Sequence, residues 1–128
     1  MESSAGLHEP ADAMTAEVID RHRAIVSLGE ELEAIDWYDQ RVAATDDQSL
    51  ADVLAHNRDE EKEHAAMTLE WLRRHDSILD QHLRTYLFTA APITETEHIV
   101  EENDSPPAGG PIRPADGSLG IGSLKGRS

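Results

Sequence analysis

Between Thr15 and Ala44, Ala24, Ile25, Leu28, Leu32, Ile35, Tyr38 and Val42 fall on one arc of a wheel turned by about 100° per residue. No proline interrupts the run, so the pattern predicts a long first helix. Gly29 is its weak position, about 1 kcal/mol less favourable than Ala, unless it serves to let another helix approach. Thr45 and Gln48 have the spacing of a capping box, which predicts a break and a second helix from about Asp46 to His75. On that helix Leu50, Leu54, Ala65, Thr68 and Leu72 share one side, with Val53, Met67 and Trp71 beside them. Asp52, Asp59, Glu63 and Glu70 occupy the other side. A break this short returns the second helix antiparallel to the first. Asp76 and Ser77, the latter spaced from Asp80 as a box, open a shorter third helix over Ile78 to about Phe88. Its Leu79, Leu83, Tyr86 and Leu87 are available for packing. Ahead of the helices, Met1 to Gly6 reads as a frayed terminus and Pro10 suits a first helical turn.

The pattern stops after Thr89. Five of the six prolines and six of the eight glycines lie beyond it, so no packed core is expected there. The chain divides into a helical domain over 1–92, a flexible acidic linker over 93–116 and a terminal segment over 117–128. In that last segment Leu119, Ile121 and Leu124 return among small residues, with Lys125 and Arg127 behind them. An apolar motif on a leash either docks into a groove or is a plain tail.

Charge and composition narrow the chemistry. The net charge is −15, from 26 acids against 11 bases, which argues against a nucleic-acid partner because phosphate contacts need a basic surface. No segment has the apolar length of a membrane span and the first residues carry no secretory pattern, so the expected location is cytoplasmic. There is no cysteine. A bound metal would be held by carboxylate, imidazole or backbone oxygen, a ligand set suited to iron, manganese, zinc or calcium.

Two places put acids where apolar residues belong. Glu31 lies inside the first helix's arc, between Leu28, Ile35 and Tyr38, whereas Glu30 and Glu33 lie outside it. Glu61 and His64 form a Glu-x-x-His pair that points to the apolar side of the second helix. An ionised carboxylate is rarely buried unless paired or bound to metal. A buried Glu–His or Glu–Arg hydrogen-bonded pair is the alternative account. Glu95 and His98 repeat the spacing past Pro92, in a segment expected to be unstructured.

Di-iron carboxylate bundles take one Glu from each of two helices and a Glu-x-x-His from each of two others. This chain supplies half of that set on half of a bundle. The predicted fold is therefore all-α: an antiparallel two-helix hairpin with a short third helix, dimerising into a ferritin-like four-helix bundle, with a disordered C-terminal tail. Two-fold dimers are the commonest oligomers, and a lone hairpin cannot cover two apolar faces.

The runs Arg21-His-Arg-Ala-Ile-Val-Ser27, Glu30-Glu-Leu-Glu-Ala-Ile-Asp-Trp-Tyr38, Asn57-Arg-Asp-Glu-Glu-Lys-Glu-His-Ala-Ala-Met-Thr-Leu-Glu-Trp71 and Leu83-Arg-Thr-Tyr-Leu-Phe88 resemble the encapsulated ferritins, bacterial proteins packaged inside encapsulin shells. Ser118-Leu-Gly-Ile-Gly-Ser-Leu124 looks like the targeting peptide of encapsulin cargo. The resemblance implies a ferroxidase: a di-iron centre built from Glu31, Glu61 and His64 of two subunits, with Tyr38 near it. It further implies an iron-entrance site at Glu30 and Glu33 beside Trp37, with calcium a candidate second cation there. A ring of five dimers and residence inside an encapsulin nanocompartment complete the expectation. Two rivals stand beside it: a buffer that binds metal without turnover, and an interaction protein whose tail recruits a partner.

Overall fold

The computed structural model describes residues 6–97. A short 3₁₀ turn over Ala11–Ala13 precedes three helices: α1 (Ala16–Ala44), α2 (Gln48–Arg74) and α3 (Ser77–Tyr86). No strand occurs among the described residues, in line with the all-α expectation. No helix among them is long and apolar enough to cross a membrane.

Local chemistry places each boundary. Thr15 caps α1, its hydroxyl accepting from the Val18 N–H at 3.2 Å. The capping box expected at Thr45 and Gln48 does not form. Thr45 ends α1, and Asp47 caps α2 by accepting from the Leu50 N–H at 3.2 Å. The Ser49 hydroxyl and that N–H hold the Asp47 carboxyl below its ordinary pKa. A carboxylate is a strong acceptor at the positive end of a helix, so Asp47 takes the cap and α2 starts two residues later than expected. Asp76 caps α3 in the same way, accepting from the Leu79 N–H at 3.0 Å. The third helix ends at Tyr86 rather than Phe88: Phe88 adopts a left-handed backbone with φ 63°, which a helix cannot continue.

Residues from Phe88 onward form a second unit. Within it residues 93–97 are helical, the Glu95 and Thr96 N–H groups donating to the Pro92 carbonyl, although the linker was expected to start at Ile93. The rest of the linker and the Ser118–Leu124 motif lie outside the described residues.

The hairpin packs along a heptad-like seam. On α1 the less exposed positions include Arg21, Ala24, Leu28, Glu31, Ile35, Tyr38 and Val42; on α2 they include Ala51, Leu54, Arg58, Glu61, Ala65, Thr68 and Leu72. Both series step by three and four, the signature of two helices meeting along one stripe. Only Ala65 and Leu72 of these are buried. The apolar arc read from the sequence is thus divided. Ala24, Leu28, Ile35 and Val42 meet α2, while Ile25 and Leu32 remain exposed beside them. On α2, Leu50, Val53, Met67 and Trp71 are exposed as well. An added Cβ at Gly29 would meet nothing within 4 Å, so Gly29 serves no close approach within the described chain.

The α2–α3 corner is held by ions. The Arg73 guanidinium donates to Glu70 at 2.7 and 2.8 Å and reaches Asp80 of α3; Arg74 donates to Glu70 at 2.7 Å and Arg84 to Asp80 at 2.9 Å. Hydrogen bonding to Arg73 is the main reason the Glu70 carboxyl is pulled from 4.5 to about 2. A lowered carboxyl pKa contributes stability above its unfolded value and loses it as pH falls through the folded value. Amide protection over the last turn of α2, where Glu70, Arg73 and Arg74 pair, is therefore expected to hold from neutral pH to about 4.5 and to fall between there and about 2. Arg73→Ala, which also removes the link to Asp80, should show the loss in α2 and in α3 at neutral pH. Hydrogen exchange of residues 70–86 in both proteins checks this.

Candidate metal centre

The seam that joins the two long helices carries two carboxylates. Glu31 and Glu61 occupy positions that in an ordinary hairpin hold Leu or Ala, and both are half-buried. The periodicity of each helix places them there, as expected. Two cross-links set the register: Arg21 donates to the His75 carbonyl at 3.3 Å and Arg58 pairs with Asp39 at 3.1 Å. These pairs have numbers adding to 96 and 97, so Glu31 lies level with residues 65 and 66 of α2. It is thus beside the His64 turn and within about 7 Å of rise from Glu61. Ala65, the buried small residue at that level, leaves room in the seam for a longer side chain opposite.

The Glu31 Oε1 atom is buried and has no hydrogen-bond partner. A buried charged oxygen without a partner is among the costliest arrangements in a protein, and a cation is one of the few remedies. On α2, the His64 Nδ1 stands 3.5 Å from the Glu61 Oε1. That is beyond the ordinary N–H···O range, which ends near about 3.2 Å. Both residue types are metal ligands, and on one turn of α2 they stand at ion-pair distance from each other. Glu61 is 28% exposed and His64 51%, so the pair sits at the border of the seam, with the imidazole facing outward.

No group of three or more His, Asp or Glu side chains among the described residues is placed to hold a metal within one chain. One chain offers a pair and an orphaned carboxylate, not a closed site. The other candidates fall around these. Tyr38 lies in the seam two turns from Glu31, with the Arg41 guanidinium 5.5 Å from its ring centroid. Glu30, Glu33 and Trp37 are all exposed, outside the seam as their wheel positions imply. Glu95 is exposed and His98 lies outside the described residues. The sequence reading missed Arg58. It is spaced three residues before Glu61 on the same face, and its pairing with Asp39 ties α2 to α1 one turn from the candidate ligand. The signal was available: a basic residue at a seam position needs an acid across the seam.

The chain is thus an all-helical hairpin with carboxylates in its seam and a Glu-x-x-His at its edge. The profile of the EncFtn-like family matches residues 6–90, and the chain belongs to that family. It is 58% identical to an encapsulated ferritin-like protein of Rhodospirillum rubrum over 99% of this chain and 93% of that one. It is 50% identical to a ferritin-like protein of Thermotoga maritima, over 91% and 96% of the two chains. It is also 30% identical to the encapsulin nanocompartment cargo protein EncC of Myxococcus xanthus, over 78% and 80%. A crystal structure of a Nitrosomonas europaea protein matches with a TM-score of 0.67 and 59% identity, covering 69% of this chain and 97% of that one.

Proposed function

We propose that this protein is a ferroxidase that oxidises Fe(II) with oxygen at a di-iron site completed by two copies of the chain, inside an encapsulin shell. The observation that carries the reading is the buried, unpartnered Glu31 Oε1 in a seam that also holds Glu61. A second hairpin would cover the exposed apolar rows, each Leu- or Met-sized side chain adding about 1.5–3 kcal/mol on burial. It would also bring a second Glu31, Glu61 and His64, making four carboxylates and two imidazoles. Hard carboxylate oxygens favour the ferric product, and the imidazoles complete the coordination. Fe(II) is the substrate; Glu30 and Glu33, exposed beside Trp37, would gather it, and calcium would compete there. The protein's part is to hold two irons close enough to deliver electrons to one oxygen molecule. The EncC relative's description as encapsulin cargo supports assigning Ser118–Leu124 to shell docking. A ring of five dimers is the assembly we adopt for the family.

A ring has no sealed interior, and its acidic surface field is screened within about 8 Å at physiological salt. Excess Fe(II) added aerobically to the free protein is therefore expected to consume oxygen and then turn turbid. The shell-loaded protein should keep its ferric product in solution. Oxygen uptake at the buffer's background rate would favour the passive metal buffer; hundreds of irons held in solution by the free ring would overturn the open architecture.

Metal and assembly should be coupled. Four carboxylates facing one another cannot all ionise cheaply without a cation. Divalent ions are expected to shift the free protein toward larger oligomers in size-exclusion chromatography, with a redox-inert cation acting like Fe(II). An unchanged profile across a wide metal range would count against the shared site.

A further inference from the structure

Past the candidate ligand His64, α2 carries a row of oxidisable side chains. His64, Met67, Trp71 and His75 follow at steps of three, four and four, so all lie on one face of the helix. Trp71 is two turns from His64, about 10.5 Å along the axis, and Met67 lies between them. The Trp71 indole and the His75 imidazole are stacked, with centroids 3.9 Å apart and planes 14° from parallel. The His75 ring is fixed in that position by a 2.8 Å contact from Nδ1 to the Trp71 carbonyl. A carbonyl only accepts, so Nδ1 carries the proton of that contact. A polarisable thioether and an indole backed by a stacked imidazole form a path along which an electron vacancy can move away from the metal ligands.

We infer that Trp71, backed by His75, is a one-electron donor that intercepts oxidants generated at the iron site and carries the damage away from the ligands. The inference rests on the ferroxidase reading. Oxygen needs four electrons to become water; two Fe(II) supply two and leave hydrogen peroxide. A further Fe(II) cleaves the peroxide O–O bond, giving Fe(III), hydroxide and hydroxyl radical. Trp71 gives up one electron and its Nε1 proton passes to solvent. The hydroxyl radical takes that electron and a proton and becomes water. Another Fe(II) and a solvent proton return the indolyl radical to tryptophan. When Fe(II) is exhausted, Met67 can take an oxygen atom from peroxide to form its sulfoxide, releasing water.

The test loads the full-length protein anaerobically with Fe(II), adds limiting hydrogen peroxide and freezes the mixture for electron paramagnetic resonance. Fe(III) absorbance is followed in parallel and oxidised peptides are mapped afterwards. A tryptophanyl signal is expected in the native protein and in Trp37→Phe. It should vanish in Trp71→Phe, become a tyrosyl signal in Trp71→Tyr, and be lost in Glu31→Ala. Oxidised Trp71 should exceed oxidised Trp37 several-fold, although Trp37 is 50% exposed and Trp71 only 37%. Oxygen uptake on aerobic addition of Fe(II) to the same protein, measured against buffer, separates the two readings. Oxidation ordered by exposure, or a signal that persists in Trp71→Phe or Glu31→Ala, would overturn the relay alone if that uptake exceeds the buffer's rate. Uptake at the buffer's rate would overturn the ferroxidase reading and the relay together.

Discussion

Alanine at Glu31, Glu61 or His64 is expected to slow iron oxidation by at least about a hundredfold, since loss of groups that merely support metal ligands already costs about 10–100-fold. In the two-chain site proposed above, each substitution would remove a ligand twice. The effect on folding should be smaller and of different sign at different positions. Glu31→Ala removes a buried oxygen that has no partner, so the isolated hairpin should gain stability while activity is lost. His64→Ala removes a half-exposed ring and should leave the helices unchanged. Glu95→Ala should be silent, because its side chain is exposed and lies past Pro92, outside the two long helices. Fe(II) oxidation followed by absorbance, with circular dichroism and thermal melting as controls, measures both effects. Native rates in all three ligand variants would remove the site. Stability gained without loss of activity in Glu31→Ala would make the orphaned carboxylate a structural defect rather than a ligand.

Deleting residues 117–128 is expected to abolish loading into an encapsulin shell and to leave oxidation by the free protein unchanged. The segment follows a stretch rich in proline, glycine and acids, with no apolar pattern from which to build a core. Leu119, Ile121 and Leu124 are the apolar side chains in it, so docking through them would proceed by burial in a groove. Replacing all three by Ser should reproduce the deletion, whereas removing Lys125 and Arg127 should have a smaller effect that fades with salt. Co-expression with a shell protein, followed by quantifying the cargo that co-purifies, decides it. Equal loading of the truncated protein would refute the targeting role.

By itself, the sequence determined that three helices form, roughly where each begins and ends, and which acids point inward. Those properties are local. Thr15 and Asp76 cap with their own side chains, and the step of three and four that puts Glu31 and Glu61 among apolar residues needs only the helical repeat. Family membership was legible for a related reason: the runs from Arg21 to Tyr38 and from Asn57 to Trp71 are long and contiguous in the chain.

Tertiary structure decided what periodicity cannot contain. A helix has one apolar arc on a wheel, but a single neighbouring helix covers only a stripe of it. Which residues of the arc are covered is settled by the register of the hairpin, so Leu28 meets α2 while Leu32, 54% exposed, does not. Packing also joined Arg73 to Asp80 across a corner. It stacked His75 on Trp71 and left one oxygen of Glu31 buried without a partner. Each of these depends on where side chains from separate turns or helices meet in space, which the order of residues along one helix leaves open.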